Sequence, residues 1–370
     1  MKGRWPELTL GELCRFEQGT SPTLKTEPGE FPLVVTASYR RSSAEYQFDE
    51  PAVCIPLISS TGHGNAALHR VHYQEDKFAL ANLLVAAIPR PGAPINTKFL
   101  WRYLSAVKDK KLVPLMQGTA NVSLKEKDLL AVTIPLPPVA QQQRIVAHLD
   151  AIESRLTRAQ KLREEQEHEL QAALRSAFHQ LEAHAEWGAM SEVAPLVRRE
   201  VAIDAEGSYP ELGIRSFGRG TFHKPDVLGI ETTKHLFAIH AGDLVFSNVF
   251  AWEGAVAVAQ PDDHGRVGSH RFITCVCDPV RVLSEFLQFY FLTKDGLDKL
   301  GKASPGGAGR NRTLGIGKLA EIKVPLVSLV QQIEFKKLLD VQAKLRAEAA
   351  QSEQRTAALL PSLLDRIFNS

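Results

Sequence analysis

The pattern of apolar and polar positions is clearest in two segments that have the same order. Apolar residues alternate with polar ones through residues 129–137 ("LLAVTIPLP") and 319–327 ("LAEIKVPLV"), and each run ends in prolines or apolar residues. Alternation over so few residues predicts a short strand, and proline delays any helix that follows it. After the first strand, Ile145, Leu149, Ile152 and Leu156 recur at intervals of four and three residues. This spacing predicts a long helix with an apolar seam for a partner helix.

The two segments belong to an internal repeat. With a constant shift of 190 residues, residues 118–178 align with residues 308–368 without a gap. The identical pairs include Asn121 with Asn311, and Gln142 with Gln332. A single register over about 60 residues predicts a tandem duplication of one strand–proline–helix unit.

The second copy predicts a second long helix. Its apolar stripe is Phe335, Leu338, Val341, Leu345 and Ala349, and we expect Pro361 to bend or interrupt the helix further along. We expect the two helices to pair with one another. A helix of about 44 residues is about 65 Å long, which suits a rigid spacer. The alternative is two unrelated amphipathic helices within a large α/β protein.

Two regions precede the repeated units, and we call them the heads: residues 1–117 and residues 187–307. Both contain short β-like runs, turns with glycine or proline, and aromatic residues. Each begins near a tryptophan and ends with an aromatic helical segment, "KFLWRYLSAV" in the first head and "EFLQFYFLTK" in the second. The chain is therefore predicted to be a mixed α/β (α+β) tandem of head, helix, head and helix.

Composition and charge narrow the classes of protein to which the chain can belong, but they do not identify a function. The 370 residues are 44% apolar and 23% charged, and the net charge is +2, so total charge gives no reason to predict nucleic-acid binding. The four cysteines form no CxxC pair, the N-terminus resembles no signal peptide, and the longest apolar run, residues 78–88, is too short to span a bilayer. These features predict a cytoplasmic protein without a membrane partner.

Basic residues near glycines are the candidates for binding. In the second head, Arg215, Arg219 and Lys224 surround the glycine-rich segment 213–220, where a backbone can approach a phosphate closely. Residues 301–318 contain four basic residues and no acidic one, with arginine and asparagine donors suited to base edges. The alternative is an ordinary solvated loop. The full set of candidates is Arg40, Arg41, Asn65, Arg70, Arg215, Arg219, Lys224, Arg310, Asn311 and Arg312.

No catalytic signature stands out. Gly317-Lys318 resembles the end of a phosphate-binding loop, but Leu319 replaces the required hydroxyl residue. Cys54 and the nearby histidines do not have the spacing of a zinc site. The sequence favours a binding protein without cofactor or metal.

The repeated motifs resemble those of the DNA-specificity subunits of type I restriction-modification systems. The resemblance rests on "IPLPPVAQQQRIVAHLDAIESRL", on "LQAALRSAF", and in the second head on "LGIRSFGRGTF" and "AGDLVFSNVFAWEGAVAV". Two features depart from the family pattern: Gln141 replaces the glutamate of its Glu-Gln step, and the second copy lacks the double proline.

The resemblance implies two target-recognition domains, residues 1–140 and 186–330, each reading one half of a split DNA target. A central helix, 141–185, and a distal helix, 331–370, would lie antiparallel and set the gap between the half-sites. They would dock two copies of an adenine methyltransferase subunit, and a translocating nuclease subunit can join. The expected seam and docking residues are Gln142, Ile145, Leu149, Ile152, Leu156, Gln332, Phe335 and Leu339.

Two other functions are compatible with the same pattern. An architectural protein could associate through the helices and bind protein or carbohydrate through its heads. A nuclease with a degenerate site would cleave DNA by itself in the presence of a metal, but no cluster of acidic residues supports it.

Overall fold

Two compact units make up the chain in the computed structural model, which describes residues 5–37, 39, 41–61, 64–306 and 312–368. Unit 1 contains residues 1–162 and 350–370, and unit 2 contains residues 163–349. Both mix helices with small sheets, so the predicted α/β class is confirmed. Among the described residues, none of the helices combines the length and the apolar character needed to span a bilayer.

Unit 1 carries the first head. Its strands are β1 (Glu7–Thr9), β2 (Cys14–Gln18), β3 (Phe31–Val34), β4 (Arg41–Ser43), β5 (Ala52–Pro56), β6 (His72–Gln74), β7 (Ala79–Leu80), β8 (Leu84–Pro89) and β9 (Thr133–Pro135). Its short helices are α1 (Leu10–Leu13), α2 (Thr97–Lys111) and α3 (Glu126–Leu130). The strands form a four-stranded sheet in the order β2-β8-β5-β6, a three-stranded sheet β4-β3-β7, and the pair β1-β9.

Unit 2 carries the second head. Its strands are β10 (Glu186–Ala189), β11 (Glu200–Val201), β12 (Ser208–Ile214), β13 (Thr221–Leu228), β14 (Leu236–Ala238), β15 (Leu244–Ser247), β16 (Val256–Val258), β17 (Val267–Ser269), β18 (Phe272–Cys275) and β19 (Lys323–Leu326). Its short helices are α5 (Met190–Val193), α6 (Ser284–Phe291), α7 (Lys294–Ala303) and α8 (Ile316–Glu321). The strands form a five-stranded sheet in the order β11-β14-β17-β12-β13, a three-stranded sheet β16-β15-β18, and the pair β10-β19.

The predicted strand before each long helix is present, and it pairs with the first strand of its own head. β9 lies antiparallel to β1, with Ile134 opposite Leu8. β19 lies antiparallel to β10, with Val324 opposite Gly188. Each pair has only two strands, so no third strand needs the backbone N–H that the proline of β9 and the proline of β19 lack. The pair joins the two ends of a head at the point where its long helix begins.

The long helices are α4 (Val139–Glu182) and α9 (Leu329–Ala357), followed by α10 (Leu359–Phe368). The break at Ala358 confirms the interruption that Pro361 predicts, because the proline has no N–H for the carbonyl four residues earlier. Within unit 2, α4 and α9 run antiparallel: Phe178 lies 5.5 Å from Phe335, and Glu167 accepts a hydrogen bond of 2.8 Å from Arg346. The predicted domain limits and an overall pseudo-symmetry of the copies stay predictions.

A buried glutamine attaches each head to the first turn of a long helix. The Gln142 amide donates to the carbonyl oxygens of Pro94 and Pro137 at 2.9 and 2.8 Å, and its oxygen accepts from the Asn96 N–H at 2.7 Å. Gln142 has no exposed surface. All of its strong donors and acceptors are therefore used within unit 1.

The repeated glutamine makes the same three hydrogen bonds in unit 2. Gln332 donates to the carbonyls of Arg281 and Val327 at 3.0 and 2.8 Å, and it accepts from the Leu283 N–H at 2.8 Å. It is also fully buried. The sequence repeat therefore has a repeated joint as its physical counterpart.

The last residue of each repeat, a phenylalanine, packs on the aromatic helix of a head. Phe178 lies 5.1 Å from the ring of Phe286 in unit 2. Phe368 lies edge-on to Phe99 and Tyr103 in unit 1, at 5.7 and 5.4 Å. Such pairs contribute about 0.5–1.5 kcal/mol beyond the area they bury.

The seam predicted on α9 is wrong in part. Leu338 and Val341 are 46% and 52% exposed, whereas Phe335 and Gln342 are buried and Leu339 packs on the core. Gln332 must face its head to make its hydrogen bonds, and residues three, seven and ten positions later follow the same face. The apolar residues at 338 and 341 therefore lie on an outward stripe.

An ion-pair cluster supports the joint in unit 1. Asp150 on α4 accepts from Lys98 and Arg102 on α2, each at 2.8 Å, and Arg102 also pairs with Glu153. Partial burial would raise the pKa of the Asp150 carboxyl, but the two cationic donors outweigh burial and lower the pKa below its ordinary value.

Replacing Gln142 by alanine should destabilise unit 1. The substitution leaves two carbonyls and one N–H buried without partners, so we expect a loss of about 2–4 kcal/mol. Gln143→Ala is the matched control, because Gln143 is exposed on the same helical turn. Urea denaturation followed by tryptophan fluorescence measures both variants. Equal stability of the two variants would contradict the role of the joint.

The Asp150 cluster predicts a pH dependence of stability. The pKa of Asp150 in the folded state lies below the unfolded value. The ionised carboxylate therefore contributes fully to the free energy of unfolding above about pH 4, and this contribution disappears as the pH falls through the folded-state pKa. Asp150→Asn should cost about 1–2 kcal/mol at pH 7.

The cost of Asp150→Asn should shrink as the pH is lowered through that window, and urea denaturation at several pH values measures it. Asp109→Asn is the control, because Asp109 is an exposed carboxylate on α2 whose one ion pair among the described residues is with neighbouring Lys108. A cost that does not change between pH 7 and pH 3 would count against this account.

Candidate nucleic-acid interface

Unit 1 contains a cleft of about 1100 Å³ between the first head and α4. One side is formed by β3, Tyr39, Arg41 and residues 69–75, and the other by α2 and by α4 from Asp150 to Lys161. Trp101 forms part of its wall and stacks on Tyr73 at 5.7 Å. The cleft thus combines aromatic faces with basic side chains.

The charges in this cleft are arranged in two zones. Near α2, the cations Lys98 and Arg102 are neutralised by Asp150 and Glu153. Further out, Arg70 and Arg158 are exposed, and neither forms an ion pair within the part of the chain that the structure describes. Two cations without a neutralising carboxylate suit an anionic backbone at the rim of the cleft.

The predicted residues of the first head are only partly brought together. Arg41 lies in β4, donates to the carbonyl of Thr23 at 2.6 Å and covers the Tyr39 ring at 5.5 Å. Arg70 and Arg41 line the same cleft. Asn65 is exposed, and its carbonyl accepts from Ser59 at 2.5 Å. Arg40 lies outside the described residues.

In unit 2, the glycine-rich segment forms the tip of the β12–β13 hairpin. Gly218 and Gly220 have φ of 64° and 76°. A Cβ on Gly218 would also lie 2.6 Å from the Leu292 side chain, so any other residue would be strained there and would force Leu292 to move. Arg215 donates to the carbonyl of Thr221 at 2.5 Å and lies over the Phe222 ring at 4.8 Å. Arg219 lies 5.3 Å from the ring centre of Phe217.

Loop 248–254 is hydrogen-bonded to this tip, and Asn248 of the loop binds two further segments, at Arg271 and Leu314. The Phe217 N–H donates to the carbonyl of Glu253 at 2.8 Å, and the Asn248 N–H donates to that of Arg271 at 2.8 Å. Asn248 also donates through its side chain to the carbonyl of Leu314 at 3.0 Å. We call the result the arginine–aromatic surface. Its members are Arg215, Phe217, Arg219, Phe250, Trp252, Arg271 and Arg312.

Contacts within the second head occupy two of the predicted cations. Lys224 pairs with Glu211 at 3.0 Å. Arg312 donates to the carbonyl of Gly301 at 2.8 Å and covers the Trp252 ring at 4.8 Å. Arg310 and Asn311 lie outside the described residues. DNA contact by any of the candidate residues stays a prediction.

Sequence reasoning missed several members of these surfaces, among them Phe217, Phe250, Trp252 and Arg271 in unit 2 and Arg158 in unit 1. Phe217, Trp252 and Arg271 are far apart in the chain, and the pairing of β15 with β18 and the hydrogen bonds of loop 248–254 bring their segments together. A signal was present in "SFGRG", where an aromatic residue precedes two glycines and an arginine. Trp101 of the unit 1 cleft stands in the aromatic helix that the sequence did reveal.

The predicted seam residues of the long helices lie at different depths. Leu149 is buried at the joint of unit 1, Ile145 packs against the core, and Ile152 and Leu156 are half-buried. Gln142, Gln332, Phe335 and Leu339 face their own heads, as described above. Docking of another subunit by this set stays a prediction.

The described residues include no group of histidine, cysteine, aspartate or glutamate side chains arranged to hold a metal ion. Burial raises the pKa of the Cys14 and Cys275 thiols to about 12 and that of Cys277 to about 11. Thiols with such pKa values are protonated at neutral pH and are poor nucleophiles.

Comparison with known proteins gives a family match and structural neighbours. Residues 2–167 match the family model described as the type I restriction modification DNA specificity domain. Comparison with curated protein sequences gives no match.

The solved structures resemble the whole chain in fold. The S subunit of a type I restriction-modification system from M. genitalium has a TM-score of 0.53 and 14% identity, covering 100% of this chain and 97% of that one. The HsdS subunit from Thermoanaerobacter tengcongensis has a TM-score of 0.57 and 16% identity over 100% and 97%. A chain solved in work on complex assembly and conformational transition of the type I R-M system has a TM-score of 0.62 and 15% identity over 99% and 97%.

These matches agree with the repeated motifs and with two units on long helices. Residues 2–167 are thus similar to the type I restriction modification DNA specificity domain, and the chain as a whole shares its fold with the solved type I restriction-modification specificity subunits.

Proposed function

We propose that this chain is the non-catalytic DNA-specificity subunit of a type I restriction-modification complex, and that each head reads one half of a bipartite target. The observation that carries the proposal is the repeated joint. Each head presents its own surface of arginines and aromatic rings, and a fully buried glutamine fixes it to a long helix. Two such surfaces, each fixed to its own long helix, suit the two half-sites of a split target.

The chemistry of both surfaces suits duplex DNA. Arginine guanidiniums bind phosphates and the acceptor edge of guanine, and aromatic rings contact bases or thymine methyl groups. In unit 1 the unneutralised Arg70 and Arg158 stand at the rim of a cleft, and in unit 2 Arg215 and Arg219 stand at a hairpin tip. These four are the candidates for the first phosphate contacts.

The long helices supply the spacer and the docking surface. α4 has 44 residues, which corresponds to about 66 Å of helix. The outward stripe of α9 contains Val330, Leu338 and Val341, which are 67%, 46% and 52% exposed. An apolar stripe on an otherwise polar helix suits a protein partner. We assign it to adenine methyltransferase subunits, two copies of which would bind, with a translocating nuclease subunit as a further partner in the cytoplasm.

The proposed function predicts a bipartite methylation pattern. Deleting the gene for this chain from its host should abolish adenine methylation at one split motif with a fixed gap. Exchanging residues 187–307 for the head of a related subunit should change only one half of the motif. Genome-wide detection of methyladenine measures both. A methylation pattern that survives the deletion would exclude the proposal.

Loss of arginine at the two surfaces should weaken DNA binding with a salt-dependent signature. Arg70→Ala and Arg219→Ala should each reduce affinity by several-fold and lower the slope of log affinity against log salt concentration by about 1. Lys224→Ala is the control, because Glu211 already neutralises that charge. Fluorescence anisotropy of a labelled target duplex across a salt series measures the slope. An unchanged slope in both arginine variants would remove these residues from the interface.

The spacer role predicts that helix length sets the gap. A four-residue insertion between Arg163 and Glu169, with the same insertion beside Arg346 on the antiparallel helix, adds about 6 Å. We expect the gap in the methylated motif to grow by about two base pairs, at 3.4 Å each. Glu164→Ala, which keeps the length, should leave the gap unchanged. An unaltered gap in the insertion variant would contradict the spacer role.

A further inference from the structure

Phe217 at the tip of the β12–β13 hairpin has an unusual backbone. Its φ is 63°, and it is the one residue other than glycine with a positive φ in the part of the chain that the structure describes. An aromatic side chain is strained in the left-handed region, where glycine is not. Such strain persists only where the surroundings impose it, and it is concentrated at functional sites.

The surroundings hold the backbone of Phe217 firmly. Its N–H donates to the carbonyl of Glu253 at 2.8 Å, and the N–H of Gly218 donates to that of Gly254 at 2.9 Å. On the other side, the Ser216 hydroxyl donates to the Glu253 carboxylate at 3.2 Å. The hairpin tip is therefore fixed to loop 248–254 before any ligand binds.

The ring of Phe217 gains no burial from this arrangement. It is 68% exposed, which makes it one of the most exposed large apolar side chains in unit 2. Packing in the core thus does not explain why phenylalanine, rather than glycine, occupies a position that glycine would fill without strain. The ring is held outward for contact with something else.

Two arginines stand two residues from Phe217 in the sequence, and one of them contacts its ring. Arg219 covers it at 5.3 Å, and the guanidinium of Arg215 is oriented by the Thr221 carbonyl and the Phe222 ring. An exposed apolar ring between cations matches the chemistry of side chains that enter a stacked duplex, where the ring replaces a base neighbour and the cations meet the phosphates.

We propose that Phe217 inserts between two adjacent base pairs of the half-site bound by the second head and kinks the DNA there, while Arg215 and Arg219 contact the phosphates on either side. The inference rests on the proposed function. Its consequence is specificity without direct base contact, since steps that unstack easily cost less to open than stiff ones.

The test uses the complex of this chain with its methyltransferase subunits and a duplex that carries the motif found by methylation mapping. 2-Aminopurine is placed at each step of the second half-site in turn, because its fluorescence rises when it is unstacked. Dyes at the duplex ends report bending by energy transfer. The variants are Phe217→Ala, Phe217→Leu and Phe217→Gly.

Ile230→Ala is the matched control, because Ile230 is 79% exposed directly after β13, beyond the far end of the same hairpin from the tip. It removes exposed apolar surface from unit 2 without touching the tip. We expect this variant to behave as the wild type in every measurement.

The wild type should raise the fluorescence at one step only and bring the dyes closer together. Phe217→Ala should lose both signals and weaken binding about 10- to 100-fold, the effect of losing one base–aromatic stack. Phe217→Leu should keep part of both signals, since leucine also serves as a wedge. Phe217→Gly should lose both signals while its melting temperature rises, because glycine removes the strain.

Four outcomes would overturn the inference. If the wild type binds its target specifically but unstacks no step, Phe217 does not act as a wedge, and the proposed function stays intact. Signals that survive Phe217→Ala assign the distortion to another residue. Failure of Phe217→Ala to assemble with the methyltransferase subunits in size-exclusion chromatography makes the ring a protein anchor. If the wild type binds no duplex with preference, the proposed function fails, and the wedge fails with it.

Discussion

The buried amide at the start of each long helix is the constraint on which the rest of the structure depends. Gln142 and Gln332 each connect a head, the segment before the helix and the helix itself through three hydrogen bonds. A buried amide is costly when any of its bonds is unmet, so it tolerates one orientation of head against helix. A hydrophobic contact of equal area would allow sliding, because it is non-directional. The amide thus makes the direction of each head a fixed property of its helix.

A second repeated contact reinforces this joint. Lys111 donates to the carbonyl of Thr133 at 2.8 Å in unit 1, and Lys299 donates to that of Lys323 at 3.1 Å in unit 2. Each ammonium also lies near a buried tyrosine ring, at 5.6 and 5.3 Å. The strand pair is therefore tied to the aromatic helix α2 in unit 1. In unit 2 it is tied to α7 through Lys299 and to the aromatic helix α6 through the Tyr290 hydroxyl, which donates to the Lys323 carbonyl at 3.4 Å. Together with the glutamine, this contact forms a common base on which the rest of each head is free to differ.

The sequence predicted this common base well, because the residues that form it lie within short segments of the chain and occur twice. The strand, the prolines, α4 and the break near Pro361 all follow from spacing within short segments. The face of α9 was harder, since apolar residues occupy two faces and only the hydrogen bonds of Gln332 decide which one turns inward. The binding surfaces were the hardest. Lys224 is neutralised by Glu211 across a hairpin register that includes a bulge, and Phe217 adopts a conformation that its residue type disfavours. Contacts between distant segments determine both features.

The differences between the heads are as informative as their shared base. In unit 1 the aromatic helix carries Lys98 against Asp150 of α4, whereas in unit 2 it carries Glu285 against Lys336 of α9. The second head placed on the first helix would bring Glu285 towards Asp150, and like charges at short range disfavour that arrangement. The glutamine joint is the same in both units, so the charge pairs are a feature that distinguishes them. The chain connection fixes which helix each head joins, because only three residues separate β9 from α4 and only two separate β19 from α9. The charge pairs therefore add to a pairing of head and helix that the short connections already impose.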